Sequence, residues 1–254
     1  MGIFPSEAFF WDGVLARNGQ SWSRFNRSRV LPHAFRGYLN LPSAPSLEEV
    51  WKRNIIIVGS GPSSDVGYAP YPDVVLNLVL TDPIAGIYEQ LFKKHKIYPP
   101  AFIFEVAGED LSTFFANNNF DLCYSVNAVD HSIHPLTVLH EMMKVTKPCG
   151  WSVVELWENE ANIEGGNGMH QWNFFVEDEV MMLESFKSKR QWNVNDAARS
   201  FGAGEVFSQR FEGCFLNGDC NHQENIRVRL SARKASNTDL ACPKADFHSF
   251  SSDS

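Results

Sequence analysis

The sequence lacks the features that would direct it to a membrane or to nucleic acid. No apolar run approaches the roughly 18 residues that a membrane span needs. The chain has fewer basic than acidic residues, with 22 Lys and Arg against 30 Asp and Glu. The resulting net charge of −8 provides no basic field for binding duplex nucleic acid. The N-terminus, with Glu7 and Asp12 around its first aromatic residues, lacks the basic-then-apolar order of a signal peptide. We therefore expect a soluble protein of the cytoplasm, with no membrane span and no nucleic-acid partner.

The chain also lacks a paired set of cysteines. Its five cysteines are scattered and odd in number, and no export signal accompanies them, so reduced thiols are expected. Cys214, Cys220 and His222 lie within nine residues, but no second pair completes a tetrahedral zinc site. No structural zinc is expected.

Length and composition indicate one large α/β domain. A chain of 254 residues with 44% hydrophobic content can bury about 70% of its unfolded surface in a single core. We place this domain at residues 49–234. Residues 235–254 are rich in Ser and Asp and are expected to be disordered.

The first 48 residues have no clean period but are too apolar for a disordered tail. We interpret residues 1–48 as a cap over the strand ends; a packed extension without ligand contact fits equally well. Near its end, Ser46 as N-cap and Glu49 as its capping-box partner predict the start of a helix. The segment has a local excess of basic residues, namely Arg24, Arg27, Arg29 and Arg36.

The stretch NIIIVGSGPSSD at residues 54–65 predicts a buried parallel strand that ends in a tight turn. Gly59 and Gly61 allow the backbone to adopt positive φ and to approach a ligand closely. Such crevices lie at the carboxyl ends of the strands in open α/β sheets. An ordinary tight turn without a ligand is the alternative.

Strands and helices then alternate, which predicts a doubly wound, mostly parallel sheet of about seven strands. One crossover is unusual, because residues 59–73 leave little room for a helix. Asn195 is the predicted N-cap of a short helix, and residues 225–234 alternate like a half-solvated edge strand. The other predicted strands cover 54–58, 74–80, 101–110, 120–126, 151–157, 179–186 and 204–211.

Two strand ends carry candidate polar groups. Asp82 follows the second strand about twenty residues after the glycines, where a carboxylate can accept two hydroxyls of a ribose; an N-cap for the next helix is the alternative. The loop after the fourth strand holds Asn127, Asp130, His131 and His134.

These residues resemble those of class I S-adenosylmethionine-dependent methyltransferases from about Trp51 to Lys234. VGSGP resembles the first motif of that family, and FDLCYSVNAVDHSIHP followed by LHEMMKVTKPCGW resembles its fourth strand, the next helix and the turn written K-P-G-G, with Cys149 at the first glycine. The resemblance implies a Rossmann-like fold, S-adenosyl-L-methionine as cofactor and S-adenosyl-L-homocysteine as product. The implied cofactor-binding residues are Gly59, Ser60, Gly61, Pro62, Asp82, Pro83, Glu109, Asp110, Leu111, Asn127 and Ala128.

A narrower resemblance concerns N-A-x-D-H with H-Q-W-N-F far downstream. These motifs are similar to those of methyltransferases encoded beside, or fused to, glycosyltransferases in bacteria and large algal viruses. The implied acceptor is a sugar hydroxyl, as on rhamnose or another deoxysugar, and the chain could belong to a larger glycosyltransferase polypeptide or complex.

Transfer of a methyl group to a hydroxyl calls for a general base within hydrogen-bond reach. His131 is the first candidate, with Asp130 orienting it or binding the sugar, and His170 is the second. A surface position for His131 and a packing role for His170 are the alternatives. A divalent cation held by Asp130, His131 and Glu158 is possible but not expected. The candidate substrate-binding residues are Trp157, Glu158, Glu160, Trp172 and Asn173, although aromatic residues are also normal in cores.

Three other functions fit parts of the pattern. A methyltransferase of a non-sugar small molecule would share every motif. A nicotinamide-dependent oxidoreductase would share the glycine turn, but Ser64 replaces its third glycine. A non-catalytic module would bind the cofactor without transferring a methyl group.

Overall fold

The computed structural model describes residues 4–43, 45, 48–212, 226–236 and 242. None of the helices in this part of the chain has the length and apolar character needed to cross a membrane. The helices are α1 (Phe4–Asn18), α2 (Phe35–Tyr38), α3 (Ala85–His95), α4 (Leu111–Phe114), α5 (Pro135–Val145), α6 (Glu160–Ile163) and α7 (Val194–Ser200). The strands are β1 (Trp51–Val58), β2 (Val74–Thr81), β3 (Ile103–Phe104), β4 (Phe120–Val126), β5 (Thr146–Trp157), β6 (Trp172–Glu177), β7 (Val180–Ser185), β8 (Gln191–Asn193), β9 (Ala203–Phe211) and β10 (Arg227–Lys234).

Seven strands form the main sheet in the order β3-β2-β1-β4-β5-β10-β9. The first five are parallel to one another, and β10 is antiparallel to both β5 and β9. Strands β6, β7 and β8 form a separate antiparallel sheet. The predicted doubly wound, mostly parallel sheet of about seven strands is therefore confirmed.

The apolar run of β1 is explained by burial on both faces of the sheet. Ile55 and Ile57 belong to the core on one face, whereas Ile56 and Val58 belong to the core on the other. Because successive side chains of a strand point to opposite faces, a strand covered on both sides needs apolar residues at every position.

The crossover from β1 to β2 contains no helix, as its length predicts. Part of the N-terminal segment covers this face of the sheet instead: Phe25, Phe35 and Leu39 are buried in the same core as Ile55. A buried ion pair attaches the segment to the start of β2, with 2.7 Å between Arg36 Nη2 and Asp73 Oδ2.

Several predicted boundaries are wrong. No helix contains Glu49, and β1 begins at Trp51; Ser46 itself lies outside the described residues. The third strand covers only Ile103–Phe104 of the predicted range. Helix α7 begins at Val194, because the Asn193 side chain accepts the hydrogen bond from the backbone N–H of Asp196. Asn195 is buried inside the helix and accepts the backbone N–H of Met181.

The predicted half-solvated edge strand is also wrong, because β10 lies between two strands and β9 takes the edge. Its arginines are buried, and each has a partner that allows burial. Arg229 Nε lies 2.6 Å from Glu155 Oε1, and the Arg227 guanidinium lies 4.0 Å from the ring centroid of Trp157. The alternation of charged and apolar residues therefore reflects two different buried faces.

The expectation of reduced thiols is wrong for two cysteines, because Cys149 and Cys242 form a disulfide whose Cα atoms are 5.3 Å apart. The disulfide joins the turn at Cys149 to a residue 93 positions further along the chain. Cys123 is free and buried. Cys214, Cys220 and His222 lie outside the described residues, as does most of the segment expected to be disordered.

Candidate active site

Two adjoining cavities of about 110 and 660 Å³ open at the carboxyl ends of the central strands. We call the smaller one the turn cavity, because it is lined by the glycine turn after β1 and by Asp82 after β2. We call the larger one the outer cavity; it is lined by Trp157, Glu160 and His170. Residues that line both are Glu7, Trp11, Gly59, Gly61, Asn127, His131 and Met169.

Neither glycine of the turn could be replaced without displacing the backbone or its neighbours. Gly59 and Gly61 have φ values of +68° and +61°. A Cβ on Gly59 would lie 2.4 Å from the Cβ of Ala128, and one on Gly61 would lie 3.0 Å from the Trp11 ring. The turn is therefore held close to the loop after β4 and to helix α1.

Asp82 lines the turn cavity and is 6% exposed. Its carboxylate accepts the backbone N–H of Gly61 at 2.9 Å and that of Ile84 at 3.1 Å. Burial raises the pKa of Asp82 to about 6, against the opposing effect of these two hydrogen bonds. Asp82 thus supports the start of α3 and also presents a carboxylate to the cavity, so its two predicted roles are compatible.

Of the other residues predicted to bind the cofactor, some line a cavity and others do not. Glu109 accepts the backbone N–H groups of Ile133 and His134, which ties the loop after β3 to the loop after β4. Leu111 is in the core, Pro62 is buried beside the turn, and Asp110 is exposed. Those that line the turn cavity are Gly59, Gly61, Asp82, Pro83, Glu109, Asn127 and Ala128, and Ser60 lines the outer cavity.

All three candidate catalytic residues converge in one cluster with Glu160. Asp130 and His131 belong to a 3₁₀ turn, Val129–His131, that follows β4. His131 Nε2 lies 3.2 Å from both Asp130 Oδ2 and His170 Nδ1. His170 Nδ1 lies 3.7 Å from Glu160 Oε1. We call these four residues the acid–histidine cluster.

Charges in this cluster perturb one another. Burial and the adjacent Asp130 raise the pKa of Glu160 to about 9. Burial opposes ionisation of Asp130, but His131 and His170 lower its pKa below the usual value. Burial acts against protonation of His170, yet the neighbouring Asp130 carboxylate raises its pKa. Perturbed titratable groups beside a cavity are typical of functional sites.

Of the residues predicted to bind the substrate, some line the outer cavity and others make structural contacts elsewhere. Trp157 and Glu160 line the outer cavity. Glu158 instead faces Arg210, with 2.9 Å between Glu158 Oε1 and Arg210 Nε. Trp172 Nε1 donates to the Ser132 carbonyl. Asn173 is fully buried and accepts the backbone N–H of Asn162, so it holds the loop after β5 without reaching either cavity.

Three residues that line both cavities were not singled out by the sequence. Glu7 and Trp11 come from α1, where the Glu7 carboxylate accepts the Trp11 indole N–H at 2.8 Å. Met169 comes from the loop before β6. The i, i+4 spacing of Glu7 and Trp11 is the only local signal, and it becomes useful only once α1 is known to be a helix.

The known proteins that are similar to this chain are described as methyltransferases. Residues 58–154 match the family described as a methyltransferase domain. An uncharacterized methyltransferase of Mycobacterium avium is 27% identical over 169 residues, which cover 59% of this chain and 60% of the relative. One from Mycolicibacterium gilvum is 26% identical over 152 residues, covering 56% and 57% of the two chains. The chain thus matches only about three fifths of the length of these relatives.

Among solved structures, the 1,6-didemethyltoxoflavin-N1-methyltransferase of Burkholderia thailandensis, solved with bound S-adenosylhomocysteine, is similar. It is 11% identical, the match covers 91% of this chain and 89% of that one, and the TM-score is 0.45. Residues 58–154 thus resemble a methyltransferase domain, and the strand order is that of a Rossmann-like class I methyltransferase fold.

Proposed function

We propose that this protein transfers a methyl group from S-adenosyl-L-methionine to a hydroxyl of a sugar. The observation that carries the proposal is the position of His131, which lines both cavities where they meet. In this arrangement the cofactor occupies the turn cavity and the acceptor occupies the outer cavity. The methyl group then faces the acceptor across the acid–histidine cluster.

The turn cavity suits the cofactor for two reasons. Gly59 and Gly61 expose backbone on the floor of the cavity, and Asp82 offers a carboxylate that can accept ribose hydroxyls. The cofactor carries its own activation as a sulfonium ion. The protein therefore has to place the acceptor oxygen about 3 Å behind the methyl carbon.

The outer cavity suits a sugar. Trp157 offers an apolar ring for the C–H face of a pyranose, and Glu160 offers oxygen atoms for its hydroxyls. The motif that contains Asp130 and His131 resembles those of methyltransferases associated with glycosyltransferases, which supports a deoxysugar or glycan acceptor. A glycosyltransferase is the partner that this resemblance implies.

His131 is the proposed general base, and Asp130 orients its imidazole. The acceptor oxygen attacks the methyl carbon as the sulfur–carbon bond breaks, the hydroxyl proton passes to the base, and S-adenosyl-L-homocysteine is released. His170, 3.2 Å from the His131 ring, can relay that proton outward. General-base assistance of this kind contributes about 10²- to 10⁴-fold to the rate.

The test combines calorimetry with turnover. S-adenosylhomocysteine should bind, and a panel of rhamnosides and other sugars should contain a methyl acceptor. His131→Ala should lower turnover about 10²- to 10⁴-fold while its affinity for S-adenosylhomocysteine stays close to that of the wild type. His134→Ala is the matched control, because His134 is exposed on the same loop and lines neither cavity.

Each alternative function gives a distinct result. Binding of NADH without binding of S-adenosylhomocysteine would replace the methyltransferase proposal with an oxidoreductase. Methylation of a non-sugar acceptor alone would remove the sugar. A turnover loss below about threefold in His131→Ala would remove His131 as the base.

A further inference from the structure

The acid–histidine cluster has the composition and spacing of a metal site. Its four members come from three separate segments: Asp130 and His131 follow β4, Glu160 begins α6, and His170 precedes β6. One donor atom from each lies within 4.8 Å of all the others. Two are imidazole nitrogens and two are carboxylate oxygens.

The distances between these atoms match those around a single ion. Donors bound tetrahedrally at about 2.1 Å from one ion lie about 3.4 Å from one another. His131 Nε2 lies 3.2 Å from Asp130 Oδ2 and 3.2 Å from His170 Nδ1. His170 Nδ1 lies 3.6 Å from Asp130 Oδ2 and 3.7 Å from Glu160 Oε1. Small side-chain adjustments would bring all four onto one centre.

A second observation is that several buried oxygen atoms of the cluster make no well-formed hydrogen bond to the described residues. Asp130 is 1% exposed, and neither of its carboxylate oxygens accepts a hydrogen bond from the described residues. The nearest imidazole nitrogens lie 3.2 and 3.6 Å from Asp130 Oδ2. Glu160 Oε2 and Asn127 Oδ1 are likewise buried without a donor in that part of the chain. Buried polar atoms are nearly always paired, so this group points to a missing cation.

We propose that Asp130, His131, Glu160 and His170 bind one divalent transition-metal ion where the two cavities meet. The donor set favours this class, because imidazole suits transition metals, whereas Ca²⁺ and Mg²⁺ prefer oxygen ligands alone. His131, Glu160 and His170 all line the outer cavity, so an ion among them would face that cavity and have room for an acceptor oxygen.

The role of the ion rests on the proposed function and deepens it. A hydroxyl bound to a divalent cation has a lowered pKa, so its proton can be lost to water before the oxygen attacks the methyl carbon. His131 would then act as a ligand of the ion, which replaces the general-base role given to it above and leaves the methyl transfer to a hydroxyl unchanged. The sequence suggested Glu158 as a ligand, but Glu158 is paired with Arg210, and Glu160 occupies the position it was expected to fill.

The test is a titration of the chelator-treated full chain with MnCl₂, in which the electron paramagnetic resonance signal of free Mn²⁺ reports binding. Mn²⁺ is a better probe than Zn²⁺ because cysteine thiolates elsewhere in the chain would compete with the site for Zn²⁺. We expect one equivalent to bind. Asp130→Asn and Glu160→Gln should each weaken binding at least tenfold, while Glu158→Gln, the matched neighbouring carboxylate, should bind as the wild type does.

Three results would overturn the site: no Mn²⁺ bound by the folded wild-type protein, more than one equivalent bound without saturation, or equal weakening in Glu158→Gln. The proposed function is tested separately in the same preparation by S-adenosylhomocysteine calorimetry and turnover. Undiminished methyl transfer by metal-free protein would refute the catalytic role of the ion and leave the proposed function intact. Absence of methyl transfer with Mn²⁺ bound would refute the proposed function and leave the site intact.

Discussion

The buried carboxylate of Asp82 predicts that cofactor binding depends on pH. Its pKa is raised to about 6, mainly by burial. In the proposed complex the ribose hydroxyls donate to the Asp82 carboxylate, so we expect the ionised form to be the one that binds. The dissociation constant then scales with the inverse of the ionised fraction, which is about 0.9 at pH 7 and about 0.09 at pH 5. We expect the affinity for S-adenosylhomocysteine to fall about tenfold between pH 7 and pH 5.

Protonation of Asp82 at low pH weakens cofactor binding but does not destabilise the fold, so the two effects can be told apart. The folded pKa of Asp82 lies above its ordinary value of 3.8, so this group contributes stability that is present below pH 3.8 and lost as the pH rises through 6. Acid therefore does not unfold the protein through Asp82. Weaker binding at pH 5 would reflect protonation of the site in a folded protein, which circular dichroism at both pH values would verify.

Asp82→Asn provides the control, because its amide does not titrate. Calorimetric titrations at pH 5 and pH 7 should show weaker binding overall and a much smaller change in affinity between the two pH values. If Asp82→Asn keeps the full tenfold change, Asp82 is not the titrating group. A wild-type change below about twofold would refute the raised pKa or the role in binding.

Three further predictions concern the scaffold. Gly59→Ala should weaken S-adenosylhomocysteine binding at least tenfold, whereas Gly202→Ala, with positive φ but nothing within 4 Å of the new Cβ, should leave calorimetric affinity unchanged. Cys242→Ser should lower the free energy of unfolding by up to about 4.5 kcal/mol, measured by non-reducing urea denaturation, because the disulfide closes a loop spanning 93 positions. Glu155→Gln should cost about 3 to 5 kcal/mol in the same assay, because it leaves the buried charge of Arg229 unpaired.

Each of these has an outcome that contradicts it. Equal loss of affinity in both glycine variants would mean that backbone strain, and not contact with the loop after β4, controls binding. A Cys242→Ser variant as stable as the wild type would show that the disulfide does not form in solution. A cost below about 1 kcal/mol for Glu155→Gln would show that water reaches the ion pair.

The central strands could be predicted because their signals are local. The apolar run before Gly59 lies within one short stretch, and the structure confirms the predicted strand. The loop residues Asp130 and His131 could be predicted as a pair for the same reason, since they follow directly from the end of β4.

The rest depends on contacts between distant residues. The burial of Arg229 follows from its pairing with Glu155, 74 positions away, so the strand resembles a solvated edge until its neighbour is known. The approach of His170 to His131 depends on how the loop before β6 folds back across 39 positions. The sequence of α1 shows no clear helical period of apolar residues, because Phe9 is apolar but lies outside the buried face, with 81% of it exposed.

The attachment of α1 has a consequence for the speed of the proposed methyl transfer. Among its residues with described side chains, only Val14 and Leu15 are buried, although the same helix carries Trp11 over the glycine turn. Their burial contributes about 3 to 6 kcal/mol to docking of the helix, and the pairing of Asp12 with Lys94 and His95 adds to it, so α1 undocks from the glycine turn in only a small fraction of molecules. If the product leaves by this route, the undocking rate of α1 would limit turnover. Leu15→Ala would then raise the turnover number at saturating cofactor even as it weakens cofactor binding.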